Sequence, residues 1–192
     1  MNGTVELQEI ISLCQKGDRT AQKKLFDLYA KRMMFVCQRY FISLQEAEDC
    51  FIEGFMKMFD ALSSYTYINE KSFYVWFRTI MINHCINRLK KQSKENEYLK
   101  PRDVETGETN INSEQISVQS VFSSEELLRC IRSLPVNLRT VFNMFAIDGF
   151  SYREIAVRTE FSEAVIKTYI YRARKILKET LEQILKERNE KN

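Results

Sequence analysis

Apolar residues recur at helical spacing along two stretches of the chain, with a long polar stretch between them. In the first stretch, Leu25, Leu28, Tyr29 and Met33, with Arg32 among them, follow the i, i+3, i+4 rhythm of an amphipathic helix. The segment LQEAEDCFIEGFMKMFDAL then aligns Ala47, Phe51, Phe55, Met58 and Leu62 on one stripe. A polar loop, SSYTYINEKS, precedes a third helical run, FYVWFRTIMINHCINRLKK, in which Phe73, Trp76, Phe77 and Ile80 keep core spacing. From Gln92 to Val121 the pattern is polar, holds one of the two prolines and sustains no period. Helical spacing resumes near Ser123, where SSEE supplies a capping serine followed by acids suited to a helix N-terminus. The expected fold is all-α: two small helical domains, residues 1–93 and 123–192, joined by a polar linker over 94–122.

The second domain holds a more specific pattern. Asp148-Gly149 marks a helix end, and Ser151 with Glu154 three residues later forms a capping box that starts a helix at Tyr152. Ile155 and Ala156 then face inward. TEFS interrupts the rhythm, and Ser162 caps a new helix from Glu163. In that helix Ile166, Ile170, Ala173, Leu177 and Leu181 form one apolar stripe, while Lys167, Thr168, Tyr171, Arg172, Arg174, Lys175 and Lys178 occupy the remaining faces. Five cations and no acid lie between Lys167 and Lys178. A short helix, a tight turn and a cationic helix is the helix-turn-helix pattern, whose second helix enters a major groove. Glu160 stands where such a turn commonly has glycine. A positive φ there costs on the order of 1 kcal/mol relative to Gly.

Composition agrees with a helix-rich globular chain: of 192 residues 44% are hydrophobic and 29% charged, with 5 glycines and 2 prolines. The net charge of +3 is too small to imply a polyanionic partner, so that case rests on local clustering. No apolar run approaches the ~20 residues of a membrane span, and the N-terminal sequence lacks a signal-peptide pattern. No membrane insertion and a cytoplasmic location are expected. The five cysteines, Cys14, Cys37, Cys50, Cys85 and Cys130, are widely spaced without a C-x-x-C pair, and read as buried thiols. With His84 the only histidine, no metal-ligand or nucleophilic cluster is visible in the linear order, so no metal, no cofactor and no catalytic site are expected.

Charge also differs between neighbouring helices of the first domain. Glu46, Glu48, Asp49, Glu53 and Asp60 against Lys57 make an acidic helix, repelled by DNA and suited to a basic protein partner. Arg78, Arg88, Lys90, Lys91 and Lys94 are uninterrupted by acid, as a phosphate-tracking surface requires. Between the two helices, Tyr65 and Tyr67 offer rings on which extruded bases could stack, worth roughly 1–3 kcal/mol per base. Asn83 could donate to and accept from a base edge, and His84 falls on the helix surface near phosphate.

With both domains in view, the sequence resembles the sigma-70 family of bacterial RNA polymerase initiation factors, in its extracytoplasmic-function (ECF) group. The likeness spans roughly Gly17 to Lys91 and Glu125 to Leu181. EAEDCFIEGFMKMF resembles the family's polymerase-binding helix, with Asp49, Glu53 and Phe55 in matching places. SFYVWFRTIMINHCINRLKK resembles its promoter-melting and −10-reading helix, with Trp76, Asn83 and Arg88 matching. LPVNLRTVFNMFAIDGFSYREIA and IKTYIYRARKIL resemble its −35-reading domain. Ile52 stands where the family commonly has Gln, Asn87 where it has Asp, and Val165 where it has Thr.

The resemblance implies a non-catalytic subunit that carries core RNA polymerase to promoters. Its polymerase contacts would be Asp49, Glu53 and Phe55, and its −10 and melting contacts Tyr65, Tyr67, Asn83, Arg88, Lys90 and Lys91. Its −35 contacts would be Lys167, Thr168, Tyr171, Arg172, Arg174 and Lys175. Promoter DNA, core RNA polymerase and an anti-sigma factor are the implied partners. The rival readings are a sigma mimic that titrates an anti-sigma factor and a plain helix-turn-helix regulator. The cations on both DNA-facing helices argue against the first, and the acidic helix and aromatic loop against the second.

Overall fold

A computed structural model of the chain describes residues 2–96 and 122–190, and the regular elements among them are all helical. The chain divides into two units, 1–88 and 89–192. The expected linker falls almost entirely on 97–121, outside the described residues.

The N-terminal unit is built from α1 (Asn2–Gln15), α2 (Arg19–Tyr40), α3 (Leu44–Leu62) and, as far as Arg88, α4 (Glu70–Asn96). Gly17, at φ 84°, makes the turn between the first two, and Asp18 caps α2 by accepting from the Ala21 amide at 2.7 Å. Ser43 caps α3 in the same way. The stripe of α2 runs through Leu25, Tyr29, Met33, Val36, Cys37 and Tyr40, all buried. Leu28, expected on that stripe, is instead 56% exposed, because the buried face advances through Leu25, Tyr29 and Met33 and leaves position 28 on its flank. All five expected stripe residues of α3 are buried.

Aromatic rings fill the space between the helices. Phe55 lies 4.9 Å from both Phe51 and Phe77 in edge-on contact and 4.7 Å from Phe26. Such pairs add about 0.5–1.5 kcal/mol each beyond the area they bury. Gly54 sets how closely α3 and α4 approach. A Cβ there would lie 2.4 Å from the Met81 sulfur, so any larger residue would displace the Met81 side chain from the core.

The C-terminal unit contains α5 (Ser124–Ser133), α6 (Val136–Phe142), α7 (Tyr152–Thr159) and α8 (Glu163–Asn189), and α6 runs on into a π-helical segment, Asn143–Ile147. Ser123 and Glu126 form a capping box on α5, and Glu126 also pairs with Arg188 of α8. Arg139 is buried and donates to the Arg132 and Leu134 carbonyls, each at 3.0 Å, placing a cation where the end of α5 leaves its carbonyls unpaired. The chain leaves the π segment at Asp148 and turns at Gly149, φ 78°, as the Asp-Gly signal predicts.

Candidate nucleic-acid interface

The capping box at Ser151 is complete: its amide donates to the Glu154 carboxylate at 2.9 Å, and the Glu154 amide returns to the serine hydroxyl at 3.3 Å. The backbone and side-chain bonds from Ser151 hold the Glu154 carboxyl below its ordinary range. At the far end of α7, Glu160 adopts the left-handed conformation, φ 66° and ψ 12°, with its amide donating to the Ala156 carbonyl at 2.8 Å. The glycine-type turn is therefore made without glycine. Ser162 then caps α8 through the Val165 amide. Phe161 packs edge-on against Tyr169 at 5.4 Å, which fixes the angle at which α8 leaves the turn.

On α8 the buried residues are Ile166, Thr168, Tyr169, Ile170, Ala173 and Leu177. Lys167, Tyr171, Arg172, Arg174, Lys175 and Lys178 are exposed. Thr168 departs from the expectation of a base contact. It is only 8% exposed, and its hydroxyl donates to the Ala164 carbonyl of its own helix at 3.1 Å. Tyr169 and Thr168 widen the buried face beyond the single stripe that the large aliphatic residues define.

Two of the exposed cations are steered by rings outside α8. Phe145 and Tyr152 stack at 4.9 Å and 11°. The Lys167 ammonium lies over Tyr152 at 5.5 Å, and the Arg174 guanidinium over Phe145 at 5.9 Å. This platform orients both cations along one face, with Tyr171 between them at the i+4 position. Sequence pattern did not reveal it, because Phe145 lies in an apolar run that reads as core. Arg172 and Lys175, three apart, make a second exposed pair on the adjacent face.

The N-terminal unit brings together residues that the sequence assigns to different partners. Arg88 donates to Glu53 at 2.9 Å and to Asp49 at 3.2 Å, so its guanidinium bridges two carboxylates on α3. The second Glu53 oxygen lies 2.9 Å from His84 Nε2. Burial pushes the Glu53 carboxyl up, but the His84 hydrogen bond and the Arg88 charge outweigh that and hold it below its ordinary range. His84 thus sits against a carboxylate. Sequence separations of 31 to 39 residues hide these pairs.

Phe55 is not presented to a partner. It is 3% exposed, at the centre of the aromatic cluster, since it continues the stripe of Phe51 and Met58. The exposed face of α3 instead carries Asp49, Ile52, Glu53 and Met56 at i, i+3, i+4, i+7, with Ile52 51% and Met56 62% exposed. Two apolar side chains alternating with two acids on one open face is a docking pattern. The sequence signal was present, since neither apolar residue falls on the core stripe.

Tyr65 tilts onto Trp76 with centroids 4.3 Å apart and meets Phe73 edge-on at 5.5 Å, and burial pushes its phenol up. Gln15 donates to the carbonyls of Leu62 and Tyr65 at 2.9 and 2.8 Å, pinning the loop that carries it. Tyr65, Tyr67 and Asn83 are all half-buried, and of the two tyrosines Tyr65 has its ring held against Trp76 and Phe73. Of the remaining α4 cations, Arg78 lies over the Tyr74 ring at 5.8 Å, Lys90 is half-buried and Lys91 is exposed.

Two family models match the chain: sigma-70 region 2 over residues 25–95 and sigma-70 region 4 over residues 124–177. The RNA polymerase sigma-H factor of Pseudomonas aeruginosa is 25% identical over 192 residues, covering 94% of this chain and 96% of that protein. The ECF RNA polymerase sigma-E factor of Escherichia coli K12 is 28% identical over 188 residues, covering 93% and 96%. Among solved structures, the sigma factor RpoE in complex with the anti-sigma factor NepR from Bartonella quintana shares the fold. Its TM-score is 0.50 at 20% identity, over 83% of this chain and 96% of that one.

Proposed function

The chain belongs to the sigma-70 family of RNA polymerase sigma factors, in its extracytoplasmic-function group, and from that premise we propose how its residues divide the work of directing core polymerase to promoters. It acts as a non-catalytic subunit in the cytoplasm; no helix among the described residues is long and apolar enough to cross a membrane. Core RNA polymerase, promoter DNA and an anti-sigma factor are its partners. Residues 1–93 serve as the polymerase-binding and −10 domain, and residues 123–192 as the −35 domain.

In the second domain Arg172 reads a base edge in the −35 major groove, with Tyr171 beside it, while Lys167, Arg174 and Lys175 track phosphates. The face that carries Lys167 and Arg174 is preset by the Phe145–Tyr152 stack, so these cations lose little side-chain freedom on docking. Thr168 is left out of this set. In the first domain the polymerase contact is the Asp49, Ile52, Glu53, Met56 face, and Arg88 orients its acids. Tyr67, Asn83, Lys90 and Lys91 remain as −10 contacts.

The observation that carries this reading is the acid-free exposed face from Lys167 to Lys178, built on a capped helix-turn-helix. The test is transcription by purified core polymerase on fragmented genomic DNA, with 5′ ends mapped. Discrete new start sites that require the protein, and share one −35 sequence, are expected. Stable binding to core without any new start site would leave only a sigma-mimicking interaction module. DNA binding without core binding would leave a plain helix-turn-helix regulator.

A further inference from the structure

Beneath the Asp49–Glu53–His84–Arg88 surface lie three cysteines from three different helices: Cys37 of α2, Cys50 of α3 and Cys85 of α4. The Cys50 and Cys85 sulfurs are 3.5 Å apart, those of Cys85 and Cys37 are 3.9 Å apart, and all three lie within 4.8 Å of one another. Each residue is 0% exposed. In the linear order they are separated by intervals that fit no ligand motif, and only the helix packing assembles them. The close passage of α4 over Gly54 puts Cys85 against Cys50.

We propose that Cys37, Cys50 and Cys85 form a three-thiolate site for a soft cation of low coordination number, of the Cu(I) class. Sulfurs bound about 2.3 Å from a common centre in a trigonal plane stand about 4.0 Å apart, close to the separations already present. A disulfide would need one pair to close to about 2.05 Å and would exclude the third sulfur. Zinc favours four ligands, and no His, Asp or Glu joins the trio among the described residues. At zero exposure the three sulfurs lie out of reach of bulk solvent. Soft thiolate donors suit Cu(I) as well as zinc, and three ligands without a fourth favour Cu(I).

The local field draws only Cys50 toward thiolate, so the metal itself must displace the protons of Cys37 and Cys85. Hydrogen bonds from Cys37 and Cys85, aided by the charges of His84 and Arg88, lower the Cys50 thiol, whereas burial and its thiol neighbours push Cys85 up. Cys37 is pushed up by its hydrogen bond to Cys50 and by burial, against the opposing pull of Cys85 and of the buried Arg39 charge. Loading is a ligand exchange in which thiol protons leave as sulfur–metal bonds form. Neither sulfur nor metal changes oxidation state, and because protons are released, metal uptake rises with pH. The inference is independent of promoter recognition, because no residue of the trio is exposed on either interface.

The test uses the full-length chain, reduced and anaerobic, titrated with Cu(I) against the chromophoric chelator bicinchoninate. One copper held per chain, with a sulfur-to-copper charge-transfer band and an X-ray absorption shell of three sulfurs, is expected. Cys50→Ser or Cys85→Ser should weaken binding on the order of 100-fold or more, while Cys14→Ala with Cys130→Ala should leave it unchanged. If a serine variant fails to fold by circular dichroism, Cys37→Ala and Cys50→Ala carry the comparison. The absorption shell of the unmutated chain decides the geometry by itself. Copper lost to the chelator, copper retained when all three cysteines are alanine, a shell of other than three sulfurs, or Zn(II) held more tightly than Cu(I) would each overturn the proposal. In the first case the trio is close-packed core only.

Discussion

On α8, Arg172 and Lys175 are exposed in a run without acid from Lys167 to Lys178; on α4, Arg88 lies in an equally acid-free run but is bridged to Asp49 and Glu53 of α3. The two helices look alike when charges are counted along the chain. They differ in what lies across from them. The partners of α8 near its cations are aromatic, Phe145 and Tyr152, which orient a cation without neutralising it. The partner of α4 is an acidic helix, which pairs Arg88 and lets it organise carboxylates. A basic run therefore marks a nucleic-acid surface only where its neighbours in the fold leave the charge available.

The largest effect should come from reversing the acids. Asp49→Lys with Glu53→Lys removes both carboxylates from the open face of α3 and sets two ammonium groups beside Arg88. Affinity for core polymerase should fall on the order of 100-fold, about 3 kcal/mol, with helical content unchanged. Fluorescence anisotropy with labelled core enzyme measures it. Unchanged binding would mean that α3 faces solvent in the complex. Ile52→Ser and Met56→Ser, without any change of charge, should each weaken binding by about 1–2 kcal/mol through lost apolar burial.

Next in size is base discrimination on α8. A bidentate arginine–guanine pair is worth roughly 1–3 kcal/mol against the wrong base. Arg172→Ala should lower affinity for the cognate −35 duplex and flatten preference at one base pair. A randomised −35 library is the assay. Equal weakening of every member would make Arg172 a phosphate anchor. Thr168→Val serves as the contrast: its hydroxyl is engaged inside the helix, so library preference should not move.

The tyrosines of the N-terminal loop separate packing from stacking. Tyr65→Ala removes a ring held against Trp76 and Phe73 and should destabilise the unit by about 1–3 kcal/mol, read as a lower denaturation midpoint. Tyr67→Ala should slow open-complex formation, seen as weaker permanganate reactivity of promoter thymines. Equal stability losses at both positions would make the loop a purely structural element.

Much of this was legible in the sequence, for reasons that can be named. The capping serine at Ser123, the capping box at Ser151, the cap at Ser162 and the Asp-Gly stop are local signals, and the structure places each helix end there. The stripe of α3 was readable because large apolar residues repeat at helical spacing. That stripe already held Phe55, and its assignment to the polymerase contact came from the resemblance alone. What escaped depends on contacts between helices. Thr168 and Tyr169 widen the buried face of α8 in a way that aliphatic spacing does not signal. Arg88 meets Glu53, and Cys50 meets Cys85, across 35 residues in both cases. No pattern along one helix encodes such a meeting.

The smallest effect is the one that tests the comparison between α8 and α4 most directly. Each released phosphate contact changes the slope of log affinity against log salt by about 0.9. Lys175→Ala should therefore weaken binding to every −35 duplex alike and make the slope shallower by about one unit. Arg88→Ala, although it also deletes a cation, should leave the salt slope of promoter binding by the holoenzyme unchanged. It acts on Glu53 instead. With Arg88 and His84 beside it, Glu53 has its carboxyl held down, so the stability it contributes is present above the ordinary carboxylate range and is lost as pH falls through the lowered value. Arg88→Ala should shrink that loss and raise the pH at which it is complete, and Glu53→Gln should remove this part of the acid limb altogether, both followed by thermal unfolding across pH. A salt slope that falls by one unit in Arg88→Ala as it does in Lys175→Ala would place Arg88 on the DNA and reduce its carboxylate pairs to contacts of the free protein.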